Sequence, residues 1–154
     1  MMDAQYFACP KGHLVIGADE TGICLLRFGA APDGAQMRTT PLLRRAAAQL
    51  DEYFSGRRKQ FDLPLSLHGT AFQLACWNAL CDIPYGETRS YAQQAAAVGN
   101  PRACRAVGMA NHVNPVMILV PCHRVIGANG QLTGYAGGLS FKRFLLDLEA
   151  AHRE

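Results

Sequence analysis

The sequence predicts an α/β protein in two parts, a small amino-terminal α/β unit over residues 1–68 and a mainly helical unit over residues 69–154 that contains a helix-turn-helix. Three observations lead there. Short β-favouring runs and one well-punctuated helix occupy the first part. Near Ser66 and Gly69 the pattern turns helical, with two helix starts marked by capping boxes, Thr70 with Gln73 and Ser90 with Gln93. Two short helices then meet across Gly99-Asn100-Pro101, a connection of the length and composition that joins the helices of a helix-turn-helix.

Residues 13–16 and 23–28 are apolar and β-favouring, and the polar, glycine-flanked stretch from Gly17 to Gly22 between them reads as the turn of a hairpin. Thr40 is placed to cap a helix with Pro41 at its first position. Leu43, Ala46, Ala47, Leu50 and Phe54 continue at helical spacing, and Gly56 closes it. Residues 61–67 alternate apolar and polar and predict a strand. No reactive constellation lies in this part.

In the second part, Thr70 opens a helix through Cys81, and apolar residues on more than one face (Phe72, Leu74, Cys76, Trp77, Leu80) predict that it is buried. Ile83-Pro84-Tyr85-Gly86 ends it. Ser90 opens a short helix over residues 91–97, and Asn100 with Pro101 predicts a further helix to about Asn111. Ala106, Gly108 and their alanine neighbours keep this pair slim, while Arg102 and Arg105 are expected on the first turns of its second helix, where free amides favour phosphate. A packed structural hairpin would explain the alanines but not the arginines. Residues 115–120 predict a short buried strand ending at Pro121, and Leu139 begins an amphipathic helix to Ala150 that puts Lys142 and Glu149 on one face.

Between that strand and the glycine-rich residues 127–138 lies Pro121-Cys122-His123-Arg124-Val125. A cysteine beside a histidine and an arginine can lose its proton near neutral pH, because such neighbours favour the thiolate, which is the nucleophilic form; taken alone the pair is weak evidence, since free cysteines are commonly buried as small apolar residues. Adjacent residues do not face one another on a strand or a helix, so Cys122 and His123 can cooperate only through a turn or a bridging water.

Composition narrows the choice of function. The chain has 154 residues, 49% of them hydrophobic and 18% charged, and this is a globular composition without low-complexity tracts. No apolar run approaches the roughly 18 residues of a membrane span, no export signal is evident, and a cytoplasmic protein with reduced thiols is expected. A zinc site from Cys9, His13 and Cys24 is disfavoured because it supplies three ligands without paired spacing, so no metal is expected. The net charge of +3 is too small to argue nucleic-acid binding, but between Arg89 and Arg143 there is no Asp or Glu, while Arg89, Arg102, Arg105, Arg124, Lys142 and Arg143 form a candidate phosphate-facing surface.

Several ordered motifs now stand together: Ile83-Pro84-Tyr85-Gly86-Glu87-Thr88, Arg105-Ala106-Val107-Gly108, Asn114-Pro115, Pro121-Cys122-His123-Arg124-Val125 and Gly134-Tyr135-Ala136-Gly137-Gly138-Leu139. Over about residues 70–150 the chain resembles the O6-alkylguanine-DNA alkyltransferases. The resemblance implies a ribonuclease-H-like amino-terminal α/β domain and a winged-helix-like DNA-binding domain. It implies that Cys122 takes the alkyl group from O6 of a flipped alkylguanine, and leaves O4-alkylthymine open. His123 would accept the thiol proton through a water, Glu149 would orient the imidazole, and Asn114 would organise the turn that presents the thiol. Tyr91 and Lys142 would assist guanine departure and the hydrogen bonding of the thiol. Val125, Tyr135, Ala136 and Gly137 would meet the base. Arg105 would fill the vacated stack, and Arg102, Arg124, Ala106 and Gly108 would meet the DNA, with the second helix in the minor groove. The implied partner is double-stranded DNA carrying O6-alkylguanine, approached by a monomer, with cooperative assembly on DNA open. No cofactor and no membrane are implied.

Two other classes compete. A binding-only relative of these enzymes lacks the cysteine that this chain has, and a helix-turn-helix regulator with a redox-sensing thiol is the weaker reading, because the sequence lacks the cysteine zinc cluster of the family members fused to a regulatory domain.

Overall fold

A computed structural model describes residues 1–153, and the chain falls into two compact units, Met1–His68 and Gly69–Glu154. The first unit is a four-stranded sheet with one helix. Strands β1 (Asp3–Cys9), β2 (Gly12–Ala18) and β3 (Ile23–Phe28) form an antiparallel meander, and β4 (Gln36–Met37) adds parallel to β1, giving the order β3-β2-β1-β4. Strand β2 is central, and Leu14, Val15, Ile16 and Ala18 are all buried, as expected for a strand covered on both faces. Helix α1 (Pro41–Phe54) begins where Thr40 Oγ1 accepts from the amide of Leu43 at 3.2 Å, and it buries Leu43, Ala46, Leu50 and Tyr53 along one stripe.

Two features of this unit differ from the sequence expectation. Strand β1 was not anticipated, because its apolar residues Ala4, Tyr6, Phe7, Ala8 and Cys9 follow no period. Residues 61–67 do not form a strand; a single bridge, Ile23 to Leu65, attaches them to β3. Pro64 removes a ladder donor there, and only its carbonyl is used, accepting from the amide of Ile23 at 2.8 Å. The chain passes so close that a side chain at Gly22 would meet the Pro64 oxygen at 2.5 Å.

The second unit contains helices α2 (Ala71–Cys81), α3 (Tyr91–Ala97), α4 (Cys104–His112) and α5 (Leu139–Ala151), with a small parallel pair of strands β5 (Arg89–Ser90) and β6 (Val125–Ile126). Both capping boxes form, at Thr70 with Gln73 and at Ser90 with Gln93. Small residues let the helices close around Cys76, Ala95, Val107 and Ala110. Polar pins set their register: Trp77 Nε1 donates to the carbonyl of Ala110 at 2.9 Å, and Gln94 and Asn111 exchange amide hydrogen bonds at 2.9 and 2.7 Å.

Helix α4 starts at Cys104, three residues later than Pro101 predicts. Asn100 accepts from the amide of Ala103 at 3.0 Å through its backbone and makes a turn, and α4 has no side-chain cap. Arg102 therefore precedes the helix, and Arg105 alone lies in its first turn.

Candidate active site

The loop that delivers Cys122 is built by turns, in place of the strand expected over residues 115–120. After Asn114-Pro115 breaks α4, the amides of Leu119, Val120 and Cys122 donate to the carbonyls of Met117, Val116 and Val120 at 2.7, 3.1 and 2.8 Å, folding the chain back on itself. Ile118 sits at φ +72°, a left-handed conformation costing a β-branched residue roughly 1–3 kcal/mol. Burial of Val116, Met117, Ile118 and Val120 offsets that strain. Asn114 holds the loop from within. Its Oδ1 accepts from the Val116 amide at 3.0 Å, and its Nδ2 donates to the Val120 carbonyl at 2.8 Å and to Cys122 Sγ at 3.2 Å.

Cys122, His123 and Arg124 form one turn of 3₁₀ helix, and all three are buried. Such a turn sends consecutive side chains about 120° apart. Glu149, brought in on α5, collects two of them. His123 Nε2 lies 2.6 Å from Glu149 Oε2, Arg124 Nε and Nη2 donate to its two oxygens at 2.9 and 3.1 Å, and the Gly86 amide adds a bond at 3.1 Å. Arg124 Nη1 also donates to the Ile83 carbonyl at 2.7 Å, and its guanidinium lies 5.8 Å from the Tyr85 ring centroid.

This arrangement assigns the histidine protons. Burial works to raise the Glu149 pKa, but the bonds from His123 and Arg124 hold the carboxyl at about 2, so it is ionised and can only accept. Nε2 of His123 therefore carries the hydrogen, and Nδ1 is the lone-pair nitrogen. Burial outweighs the pull of Glu149 and lowers the His123 pKa, which keeps the ring neutral. Nδ1 is buried and has no hydrogen-bond partner among the described residues.

The thiol behaves differently from the sequence expectation. Burial pushes Cys122 up to about 11, and the Asn114 bond and the charge of Lys142 offset this only in part. Cys122 rests as a thiol at neutral pH. Arg124, expected to favour the thiolate and to meet DNA, does not counter that burial: it is itself buried, with its guanidinium engaged by Glu149, Ile83 and Tyr85. Its role here is to hold Glu149.

Lys142 is fully buried on α5, and its Nζ donates to the Val125 carbonyl at 2.6 Å and to the Thr133 carbonyl at 3.0 Å. Tyr91 at the start of α3 donates its hydroxyl to the same Thr133 carbonyl at 3.2 Å and accepts from Thr133 Oγ1 at 3.1 Å. Lys142 and Tyr91 thus meet on one residue that the sequence did not single out. Tyr135 is buried, and its hydroxyl has no partner among the described residues. Gly137 admits no side chain, since a Cβ would lie 2.9 Å from the Tyr135 ring and 3.1 Å from Met117 Sδ, while the neighbouring Ala136 is exposed.

Of the basic residues proposed to face phosphate, Arg102 and Arg105 are exposed, as is Ala106 on the same stretch. Arg124 and Lys142 point inward. Arg89 pairs with Glu87 at 3.1 Å, and Arg143 approaches Asp147 at 3.9 Å. Among the described residues no three His, Cys, Asp or Glu side chains group to hold a metal, and no helix is long and apolar enough to cross a membrane. Besides Thr133, the sequence reading missed Gly86 as a support of Glu149 and Ile83 and Tyr85 as supports of Arg124. They lie in a quoted motif whose local pattern signals only a helix stop.

Comparison with known proteins gives the same picture for both units. Residues 2–67 match the ribonuclease-like domain of 6-O-methylguanine DNA methyltransferase, and residues 71–151 match its DNA-binding domain. A methylated-DNA–protein-cysteine methyltransferase of Methanosarcina acetivorans is 49% identical over 151 residues, covering 94% of this chain and 96% of the relative. The constitutive methylated-DNA–protein-cysteine methyltransferase of Bacillus subtilis is 51% identical over 150 residues, covering 91% and 90%. Among solved structures, Mycobacterium tuberculosis OGT in complex with DNA superposes with a TM-score of 0.91 at 44% identity, covering 97% of this chain and 94% of that one. Both domains in order, with relatives aligned over nearly the whole length, place the chain in the 6-O-methylguanine DNA methyltransferase family.

Proposed function

We propose that the protein is a methylated-DNA–protein-cysteine methyltransferase that repairs double-stranded DNA directly, with Cys122 as the acceptor of the alkyl group from O6 of a guanine. The Cys122 Sγ attacks the alkyl carbon, the S–C bond forms as the C–O6 bond breaks, and the thiol proton passes through one water to His123 Nδ1. The observation that carries this reading is the 2.6 Å contact between His123 Nε2 and an ionised Glu149, which leaves Nδ1 as the acceptor on the residue next to the thiol.

The departing guanine needs its developing charge met. The Tyr91 hydroxyl, which rests as a donor to the Thr133 carbonyl, turns its one hydrogen to the departing guanine when the base enters. Main-chain groups of Cys122, Val125 and Ala136 read the base edge, beside Lys142, which donates to the Val125 carbonyl. In duplex DNA the target is stacked, so the nucleotide rotates out at a cost of roughly a few kcal/mol. Arg105, exposed on the first turn of α4, fills the gap that it leaves. The product is an alkyl thioether with no electrophilic carbonyl for water to attack, so each molecule acts once.

The test is intact-protein mass spectrometry after mixing with a duplex containing one O6-methylguanine. The expected result is a gain of one methylene, mapped to the peptide of Cys122 and saturating at one per protein. Lesion binding without a mass change would instead indicate a binding-only protein.

A further inference from the structure

Thr133 stands between two turns of the glycine-rich segment. Before it the Gly127 amide donates to the Gln131 carbonyl at 2.8 Å, and after it the Gly138 amide donates to the Tyr135 carbonyl at 2.9 Å. Both of its oxygens meet one phenol. The Thr133 carbonyl accepts from the Tyr91 hydroxyl at 3.2 Å, and Thr133 Oγ1 lies 3.1 Å from the same hydroxyl oxygen. A phenol has a single hydrogen to give, so with that hydrogen on the carbonyl the second contact can only run from Thr133 to Tyr91.

The carbonyl has a second partner. Lys142 Nζ donates to it at 3.0 Å, and the same ammonium lies 6.0 Å from the Tyr91 ring centroid. When the Tyr91 hydrogen turns away from Thr133, the carbonyl keeps Lys142 and the phenol oxygen keeps the Thr133 hydroxyl, so neither group is stranded. The backbone of any residue at 133 could supply the carbonyl. Only a hydroxyl side chain supplies the donor, and it comes already fixed, whereas a water in its place must be immobilised beneath bound DNA.

We infer that Thr133 is a positioning residue for alkyl transfer: its hydroxyl, donating to the Tyr91 oxygen, aims the Tyr91 hydrogen at the departing guanine and stabilises the charge that gathers on the phenol as that hydrogen is drawn away. This inference rests on the repair reaction proposed above. As the C–O6 bond breaks, its electron pair stays with the guanine, and the thiol proton has passed to His123. The Tyr91 hydrogen moves toward the electron-rich base, and negative charge builds on the phenol oxygen. A donor already in place there is worth more in this state than in the resting one, because hydrogen bonds strengthen as the acceptor gains charge. Thr133 touches neither the base nor the sulfur, and it acts only through Tyr91.

The experiment measures single-turnover methyl transfer at saturating protein, and duplex affinity, with a duplex containing one O6-methylguanine. Full-length wild type is compared with Thr133→Val, Thr133→Ser, Tyr91→Phe and the double variant Thr133→Val with Tyr91→Phe. Thr133→Val keeps the branched shape and the carbonyl and loses the hydroxyl, and it is expected to slow transfer about tenfold, the size of one hydrogen bond. Thr133→Ser restores the rate to within about threefold of wild type, and both variants keep duplex affinity within about twofold, since the lost interaction is made in the transition state. With Tyr91 already replaced by phenylalanine, Thr133→Val slows transfer by no more than about twofold further, because the two residues act as one unit. A wild-type rate in Thr133→Val overturns the inference while leaving the repair reaction standing. Equal slowing by Thr133→Val with and without the Tyr91 hydroxyl, or a Thr133→Ser rate no better than that of Thr133→Val, also overturns it, because the residue then only shapes the loop. Absence of transfer in the wild type overturns the repair reading itself.

Discussion

Burial disfavours charge on a thiol and on an imidazole alike, and at this site both effects serve the same step. Cys122 is held near 11 and His123 below its usual 6.5, so at neutral pH the pair is a neutral acid beside a neutral base. In the proposed reaction the proton moves when the alkyl carbon arrives. Over about pH 7 to 9 the populations of thiol and free imidazole are constant, and the transfer rate is expected to be flat. Reaction through the small thiolate fraction that a pKa of about 11 allows would instead make the rate climb about tenfold per pH unit, which a single-turnover pH profile distinguishes. Glu149→Gln removes the charge that fixes the tautomer, and transfer should fall about a hundredfold or more while duplex affinity stays within about threefold. The same carboxylate contributes to stability. Its folded pKa of about 2 lies below the ordinary 4.5, so its contribution is full above about pH 5 and is lost as pH falls toward 2. Urea melts at pH 7, 5 and 3 should show this loss in the wild type and a shallower one in Glu149→Gln.

At the scale of elements, α3 and α4 meet through alanines, which pack closely but set no register. The buried Gln94–Asn111 pair supplies it, with Gln94 also donating to the Cys76 carbonyl at 3.2 Å. Asn111→Ala leaves a buried amide half satisfied and is expected to cost about 1–3 kcal/mol by urea melting. The double variant Gln94→Leu with Asn111→Leu should recover most of that stability but not the transfer rate from duplex DNA, because the apolar pair no longer fixes where α4 lies. The elements the sequence made legible are those with local chemistry at their ends. Thr40, Thr70 and Ser90 cap where they were expected to, since a cap is decided within three residues. What stayed hidden depended on distant partners. The apolar residues 115–120 have the composition of a strand, yet they pair only at a single bridge, at Val116, and Asn114 collects the segment into turns. Arg124 sits in a basic context and resembles a phosphate ligand until Glu149, 25 residues later, is folded against it. Cys122 and His123 were legible as a pair because of the motif around them, and the direction of the thiol pKa was not, because burial is a property of the fold.

For the molecule as a whole, the reaction is a permanent change in the second unit. A methyl group on Cys122 enlarges a buried side chain in a packed loop and displaces the Asn114 donor 3.2 Å away. Overpacking of this kind costs about 1–3 kcal/mol. The alkylated protein is expected to melt several degrees below the unreacted one, and hydrogen exchange should rise in α4 and residues 114–124 while β1 to β3 keep their protection. Asn114 follows the last turn of α4 and touches the sulfur, so the covalent event at one atom is felt by the helix that faces outward. A molecule that has reacted is therefore expected to be a different ligand for DNA from one that has not, and to leave the repaired strand more readily.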